Sequence, residues 1–248
     1  MDELKKFADI HSHIIWGADD GASSPAEAVE LLKLDREEGA CVVFATPHFG
    51  RESGFRWKAD RARENFAILK ERAAEAVPEV RLFLGTEWYC MNEMAEKIRG
   101  GDAFRMNDTD YVLVEFQSME GVRQETAGQI RDHLLTLKRE GFRPILAHPE
   151  RYRAMQDDWD ALRDLADRGI LLQVNAYDLD LNLSLKTKDL AQWLADERMI
   201  SFVGSDMHGL PPKRTPRLKE GIRWLYEHTD EAYADAVAFG NAEKLLGI

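Results

Sequence analysis

The chain has 248 residues, 44% hydrophobic and 31% charged, with a formal net charge of −12. That acidity excludes a general nucleic-acid binder, whose affinity comes from neutralising phosphates, while the apolar share is enough for a large α/β core. No apolar run approaches the roughly 20 residues of a membrane helix, and the two cysteines, Cys41 and Cys90, give neither a disulfide framework nor a zinc-finger spacing.

Residues 1–7 are charged and carry no apolar region of the signal-peptide kind, so a cytosolic protein is expected, with no membrane insertion. A first strand is predicted over 7–10, running into Asp9-Ile10-His11-Ser12-His13. In an extended chain alternate residues share a face, so His11 and His13 can present both imidazoles to one point. Asp19-Asp20-Gly21 follows. Ser24 is expected to cap a helix, with Pro25 in its first position, Glu27 completing a capping box and Gly39 closing it. A buried strand over 41–46 ends in Pro47-His48, where Cys41 is expected to pack as a small hydrophobe. A polar loop over 49–57 leads to an amphipathic helix over 58–76, which Pro78 breaks.

A third strand, 80–84, runs into Gly85-Thr86-Glu87, and a fourth, 111–114, ends at Glu115. A helix over 123–140 is closed by Gly141. The fifth strand, 144–147, ends in His148, and a helix over 159–168 is closed by Gly169. The sixth strand, 170–174, ends at Asn175. A helix over 186–197 precedes the seventh, 201–204, which ends in Ser205-Asp206-Met207-His208. Residues 216–248 read as two or three covering helices. Strands alternating with helices imply a mostly parallel sheet with right-handed crossovers. Seven such strands in one domain imply a closed or nearly closed barrel, whose working groups sit at the C-terminal strand ends.

Those ends are His11, His48, Glu87, Glu115, His148, Asn175 and Asp206, and six of the seven are common metal ligands. Five of the seven histidines, His11, His13, His48, His148 and His208, lie at or just past strand ends. His133 and His228 fall in helical stretches and are set aside. Imidazole and carboxylate without thiolate suit Mn, Fe or Zn in a hydrolytic site, and the ligands are numerous enough for two or three ions. Clustered ions serve phosphate-ester hydrolysis by supplying a nucleophile near neutral pH and clamping both reacting oxygens. Arg151, three residues after His148, can bind phosphate oxygens bidentately. Lys213 and Arg214 follow Asp206 closely enough to share the rim, and Arg51 and Arg56 carry charge in the second strand's loop. Trp88, Tyr89, Phe55 and Trp57 are candidates to hold an aromatic ring at the mouth.

The run Asp-Ile-His-Ser-His with Asp-Asp-Gly, then Ala-Thr-Pro-His, Gly-Thr-Glu, Ala-His-Pro-Glu-Arg-Tyr and Gly-Ser-Asp-Met-His resembles the bacterial PHP-type protein-tyrosine phosphatases of capsule and exopolysaccharide loci, the CpsB/YwqE kind. The resemblance spans residues 7–214 with the motifs in the family's order. It implies a distorted (β/α)7 TIM-like barrel, the PHP fold, as a single domain over 1–248. It also implies a trinuclear site, usually manganese, on His11, His13, Asp20, His48, Glu87, Glu115, His148, Asp206 and His208, with Asp19 the lesser candidate beside Asp20. Two phosphate-binding arginines are implied. Arg151 matches the first, and the second falls at Lys213 or, with a one-residue shift, at Arg214. The implied activity is hydrolysis of phosphotyrosine by a metal-bridging hydroxide, acting on a phosphotyrosyl protein such as the tail of a bacterial tyrosine kinase. The cysteine-dependent mechanism needs Cys with Arg six residues on, and here those positions hold Pro47 and Glu96. Rival readings are a PHP phosphoesterase acting on a small phosphate such as histidinol phosphate, an amidohydrolase-like barrel that cleaves C–N bonds, and a non-catalytic binding barrel.

Overall fold

A computed structural model of the chain describes residues 6–50, 57–118, 122–180 and 184–248. Arg51, Phe55 and Arg56 lie outside these residues. The strands are β1 (Phe7–Ser12), β2 (Ala40–Ala45), β3 (His48–Phe49), β4 (Arg81–Leu84), β5 (Glu87–Tyr89), β6 (Tyr111–Glu115), β7 (Arg143–Ala147), β8 (Leu171–Asn175) and β9 (Ile200–Gly204). The helices are α1 (Pro25–Glu38), α2 (Ala59–Ala76), α3 (Met94–Gly100), α4 (Ala127–Arg139), α5 (Arg153–Gln156), α6 (Trp159–Asp167), α7 (Leu185–Asp196), α8 (Lys219–His228), α9 (Glu231–Asp235) and α10 (Asn241–Leu246).

Local chemistry sets the helix starts. Ser24 caps α1 by accepting from the Glu27 N–H at 3.2 Å, and Gly39 ends it at φ 115°, a left-handed conformation that glycine adopts without strain. The expected capping box does not close on Ser24. Glu27 reaches one residue further back, accepting from Ser23 N at 2.8 Å, and also accepts from Leu210 N at 3.1 Å. The helix expected from residue 123 begins only at α4, because Thr126 and Gln129 form a full capping box there.

Among the described residues all strand pairs are parallel, but the seven expected strands become nine. The second is split into β2 and β3, the third into β4 and β5. Pro47 has no N–H to give the ladder, so β2 stops at Ala45 and pairing resumes at His48, which aligns with Glu87. The joints still touch: Gly85 N donates to Ala45 O at 2.9 Å and Glu87 N to Pro47 O at 3.2 Å. One sheet thus runs β1-β2-β4 and the other β3-β5-β6-β7-β8-β9. Asp206 N to His11 O (2.7 Å) and His13 N to Met207 O (2.9 Å) close the ring between the last strand's exit and the first strand. The opening between β4 and β6 is filled by the turn at Met106, which is fully buried. The result is a distorted (β/α)7 barrel.

Inside the barrel lies an apolar plug built from Ala8, Ile10, Val42, Phe44, Leu113, Ile145 and Phe202, closed from below by Ala242 and Leu246 of α10. The C-terminal segment, expected only to cover the barrel, therefore also stoppers it. Cys41 packs at the edge of this plug, as expected of a small hydrophobe. A larger apolar layer lies between the strands and the surrounding helices. Leu246→Ala should lower the unfolding free energy by about 3 kcal/mol through the cavity left under the barrel. Urea denaturation checks this, and an unchanged midpoint would show the stopper to be dispensable.

Candidate metal centre

The strand alternation that points Phe44, Leu113 and Phe202 into the barrel carries on to polar residues one layer up. Counting by twos from those positions reaches His48, Glu115 and Asp206. Two staves change phase to join them. In β1 the three steps from Asp9 to Ser12 face only two in β2, from Val43 to Ala45. This extra residue is a bulge, and it re-aims the strand so that His11 and His13 turn inward above Ala8 and Ile10. At the end of β7, His148 takes a left-handed backbone (φ 33°) and turns in just after the inward Ala147. Gly204 allows the close approach, since a Cβ there would lie 2.6 Å from the His11 Cβ.

All of this converges on Glu87, which is fully buried. Its Oε2 lies 3.2 Å from His11 Nε2, 3.4 Å from His13 Nε2 and 2.7 Å from His48 Nδ1, and its Oε1 is 2.8 Å from His148 Nε2. Glu115 reaches the same His48 Nδ1 at 2.7 Å, and Asp206 Oδ1 is 3.3 Å from His13 Nε2. Four overlapping triads have donor atoms mutually within 4.8 Å: His13, His48 and His208; His11, Glu87 and His148; His11, His13 and Asp206; His48, Glu87 and Glu115. Asp20 is half exposed at the rim, 3.7 Å from His208 Nε2 and 3.9 Å from His48 Nε2. The structure thus brings together all nine expected ligands. His133 and His228 stay outside, the latter donating from Nδ1 to Trp224 O of its own helix.

The donor set fits divalent cations. The Nε2 atoms of His11 and His13 face each other at 3.2 Å with a carboxylate oxygen against both, a crowding that a shared cation would satisfy. Buried partners hold the far sides of these rings: Gln173 Oε1 meets His11 Nδ1 at 2.9 Å, and Asp19 Oδ2 meets His13 Nδ1 at 2.7 Å. Such contacts fix the tautomer and orientation of a ligating imidazole. Asp19 also accepts from His48 N at 2.8 Å and Gly21 N at 2.9 Å, so it braces the site from behind while Asp20 faces it. Sequence reasoning did not find Gln173, although it sits two residues before the strand end at Asn175.

The cations beside the cluster sort by geometry. Arg151 donates from Nε to Asp178 Oδ2 (3.1 Å), and its NH1 is 3.6 Å from Asp206 Oδ2. Arg214 NH2 is 3.1 Å from Asp206 Oδ1, and its Nε donates to the Asp206 carbonyl. Lys213 turns elsewhere: its Nζ donates to the Asp20 and Gly21 carbonyls, both at 2.8 Å. Of the aromatic candidates, Trp88 packs inside, while Trp57 lines a cavity with Phe49 and Met91. Trp88 is fully buried, donating to Phe104 O, and Trp57 donates to His48 O at 2.7 Å.

The family model for capsular polysaccharide synthesis, CpsB/CapC, matches residues 7–247. The chain belongs to the CpsB/CapC family. The tyrosine-protein phosphatase CpsB of Streptococcus pneumoniae is 30% identical over 243 residues, covering 96% of this chain and 97% of the relative. The putative tyrosine-protein phosphatase CapC of Staphylococcus aureus is 31% identical over 204 residues, 82% of this chain and 77% of the relative. Among solved structures, the crystal structures of YwqE from Bacillus subtilis and CpsB from Streptococcus pneumoniae, described as unique metal-dependent tyrosine phosphatases, match with a TM-score of 0.85 at 25% identity, over 97% of this chain and 94% of theirs. The phosphotriesterase homology protein of Escherichia coli matches with a TM-score of 0.62 at 11% identity and shows the shared barrel alone.

Electrostatics in this CpsB/CapC centre follow from burial and close opposite charge. Burial opposes charging of His48, but Glu115 and Glu87 outweigh it and lift its pKa to about 9. Burial likewise opposes a charged His13, and Asp19, Asp206 and Glu87 hold it well above the ordinary imidazole range. Glu87 is pulled up by burial, yet His11 and His48 keep it well below the usual carboxylate value. His208 goes the other way, driven down by burial and by the neighbouring His13. Without cations, protons on the rings offset the carboxylates. A group whose pKa is raised on folding contributes fully below its unfolded value and loses that contribution as pH rises through the folded value. The chelated protein should therefore lose thermal stability between about pH 6.5 and 9, the window set by His48. Protein loaded with a divalent cation should hold its melting temperature there, because the ions replace the protons. Asp19→Asn should weaken cation affinity by about 10–100-fold in a chelator competition titration, and an unchanged affinity would remove Asp19 from its bracing role.

Proposed function

We propose that this chain is a metal-dependent protein-tyrosine phosphatase, a phosphoric monoester hydrolase, using His11, His13, Asp20, His48, Glu87, Glu115, His148, Asp206 and His208 to hold two or three divalent ions. The observation that carries the reading is one buried carboxylate, Glu87, with four imidazoles against it and two guanidinium groups, Arg151 and Arg214, beside the adjoining Asp206. Relatives of nearly full-length coverage are named tyrosine-protein phosphatases, and the YwqE and CpsB structures are described as metal-dependent. Manganese is our choice of metal, with iron or zinc compatible with the same imidazole and carboxylate donors.

In this reading the chemistry divalent ions supply is Lewis acidity and a water nucleophile near neutral pH. The protein's own residues bind and orient the ester. Arg151 and Arg214 neutralise the non-bridging phosphoryl oxygens as charge shifts through the in-line displacement. Lys213 is spent on the Asp20–Gly21 backbone, which favours Arg214 as the second phosphate cation. The tyrosine oxygen departs as a phenolate, whose pKa of about 10 makes it a fair leaving group without a strong general acid. The substrate is a phosphotyrosyl protein. The tail of a bacterial tyrosine kinase in capsule or exopolysaccharide regulation is the substrate we infer from the family. A cytosolic site of action fits cysteines that are unpaired, Cys41 and Cys90, and no helix among the described residues is long and apolar enough to cross a membrane.

Elemental analysis of gently purified protein should find two or three divalent ions per chain, and chelation should abolish p-nitrophenyl phosphate hydrolysis until manganese is returned. Arg151→Ala should lower kcat/KM by about 10–100-fold, the worth of a charged hydrogen-bond pair, with metal content intact. A phosphotyrosyl peptide should be turned over in preference to histidinol phosphate, and the reverse preference would move the protein to the small-molecule branch.

A further inference from the structure

Tyr177 lies just past β8 in a short turn at Ala176–Asp178 and is 2% exposed. Its hydroxyl is where the two guanidinium groups meet: Arg151 NH2 donates to it, and Arg214 NH1 donates to it at 3.4 Å. The Arg151 guanidinium carbon also lies 5.3 Å from the ring centroid. Burial holds the hydroxyl protonated, so its oxygen is a neutral acceptor with two lone pairs. Both lone pairs are taken by N–H donors, and among the described residues the O–H proton has no acceptor of its own.

Two cations side by side need a common acceptor. Asp206 touches both arginines, at 3.6 Å and 3.1 Å, but it also faces His11 and His13 at the cluster. A carboxylate engaged on that side is a poor sole anchor, and it cancels the positive charge it gathers. A neutral hydroxyl sets the spacing of the guanidinium groups without adding a further negative charge to those of Asp178 and Asp206. We propose that Tyr177 is a positioning residue that yokes Arg151 and Arg214 into one cradle for a phosphoryl group. The inference rests on the phosphatase reading for its ligand, but phosphate binding tests it separately from turnover.

The backbone around Tyr177 is firmly set. Asn175 N donates to Glu150 Oε1 at 2.9 Å, and Gly221 of α8 packs so closely that a Cβ there would lie 1.8 Å from Ala176 O. Removing the hydroxyl alone should therefore leave the ring and chain in place. The test is Tyr177→Phe in the manganese-loaded protein, with inorganic phosphate as the calorimetric probe and p-nitrophenyl phosphate as the kinetic one. Loss of this hydroxyl should weaken phosphate binding and raise KM by about tenfold, the worth of a hydrogen bond made to a charged group, with kcat changed far less. In an Arg214→Ala background the same substitution should have little further effect, because there is no longer a pair to align. Unchanged phosphate affinity in Tyr177→Phe overturns the proposal, as does a full additive loss in the double variant. Weakened binding accompanied by lost metal or a lowered melting temperature also overturns it, in favour of a purely structural role. Wild-type protein that binds phosphate through Tyr177 but turns over no phosphotyrosine would sink the phosphatase reading and leave the cradle standing.

Discussion

The molecule is organised around a carboxylate that cannot be left alone. Glu87 is sealed from solvent, and an isolated buried charge would cost several kcal/mol. Four imidazoles from three other strand ends stand against its two oxygens. Two of these rings are held from behind, His11 by Gln173 and His13 by Asp19, so the demand spreads outward from the centre. Positive charge must enter this shell as protons or as metal ions. The pKa of about 9 at His48 records the first solution, and the overlap of four ligand triads on shared residues provides for the second.

The barrel meets this demand with the same alternation that builds its apolar interior. Phe44 leads to His48, Leu113 to Glu115 and Phe202 to Asp206, always on the inward face. The plug below is apolar and the layer above is polar, and the boundary falls within a strand rather than between elements. At the top of the barrel β1 and β7 depart from the count, one by an added residue and one by a left-handed histidine. Both departures sit at the metal layer, where bulges and unusual backbone concentrate because side chains there must be aimed rather than merely buried.

Much of this was legible from the chain alone. Seven apolar runs, six of them ending in His, Glu or Asp, announce a barrel with its ligands at one mouth, because period-two patterns and strand ends are local properties. The His-Pro-Glu-Arg-Tyr run singled out Arg151 for the same reason. What stayed hidden depends on contacts across the sheet. The split of the second and third strands follows from Pro47, a visible signal, but its consequence of two sheets needs the partner register. Glu27 looked like a capping residue for Ser24, and a competing donor at Ser23 and another at Leu210 drew it away. Lys213 and Arg214 are adjacent cations, and only the nearness of the Asp20 and Gly21 carbonyls separates them. Trp88 reads as a mouth residue by position and is instead a buried packing residue held by Phe104 O.

The tether from Lys213 to the carbonyls of residues 20 and 21 spans nearly the whole sequence, and the Glu27 contact with Leu210 doubles it. The first and last loops of the rim are thereby sewn into one patch, though almost two hundred residues separate them. A chimera that replaced only the last loop and lost Lys213 would leave the carbonyls of residues 20 and 21 without this donor. Drift in either loop is constrained by the other, so the two are expected to be inherited as a pair.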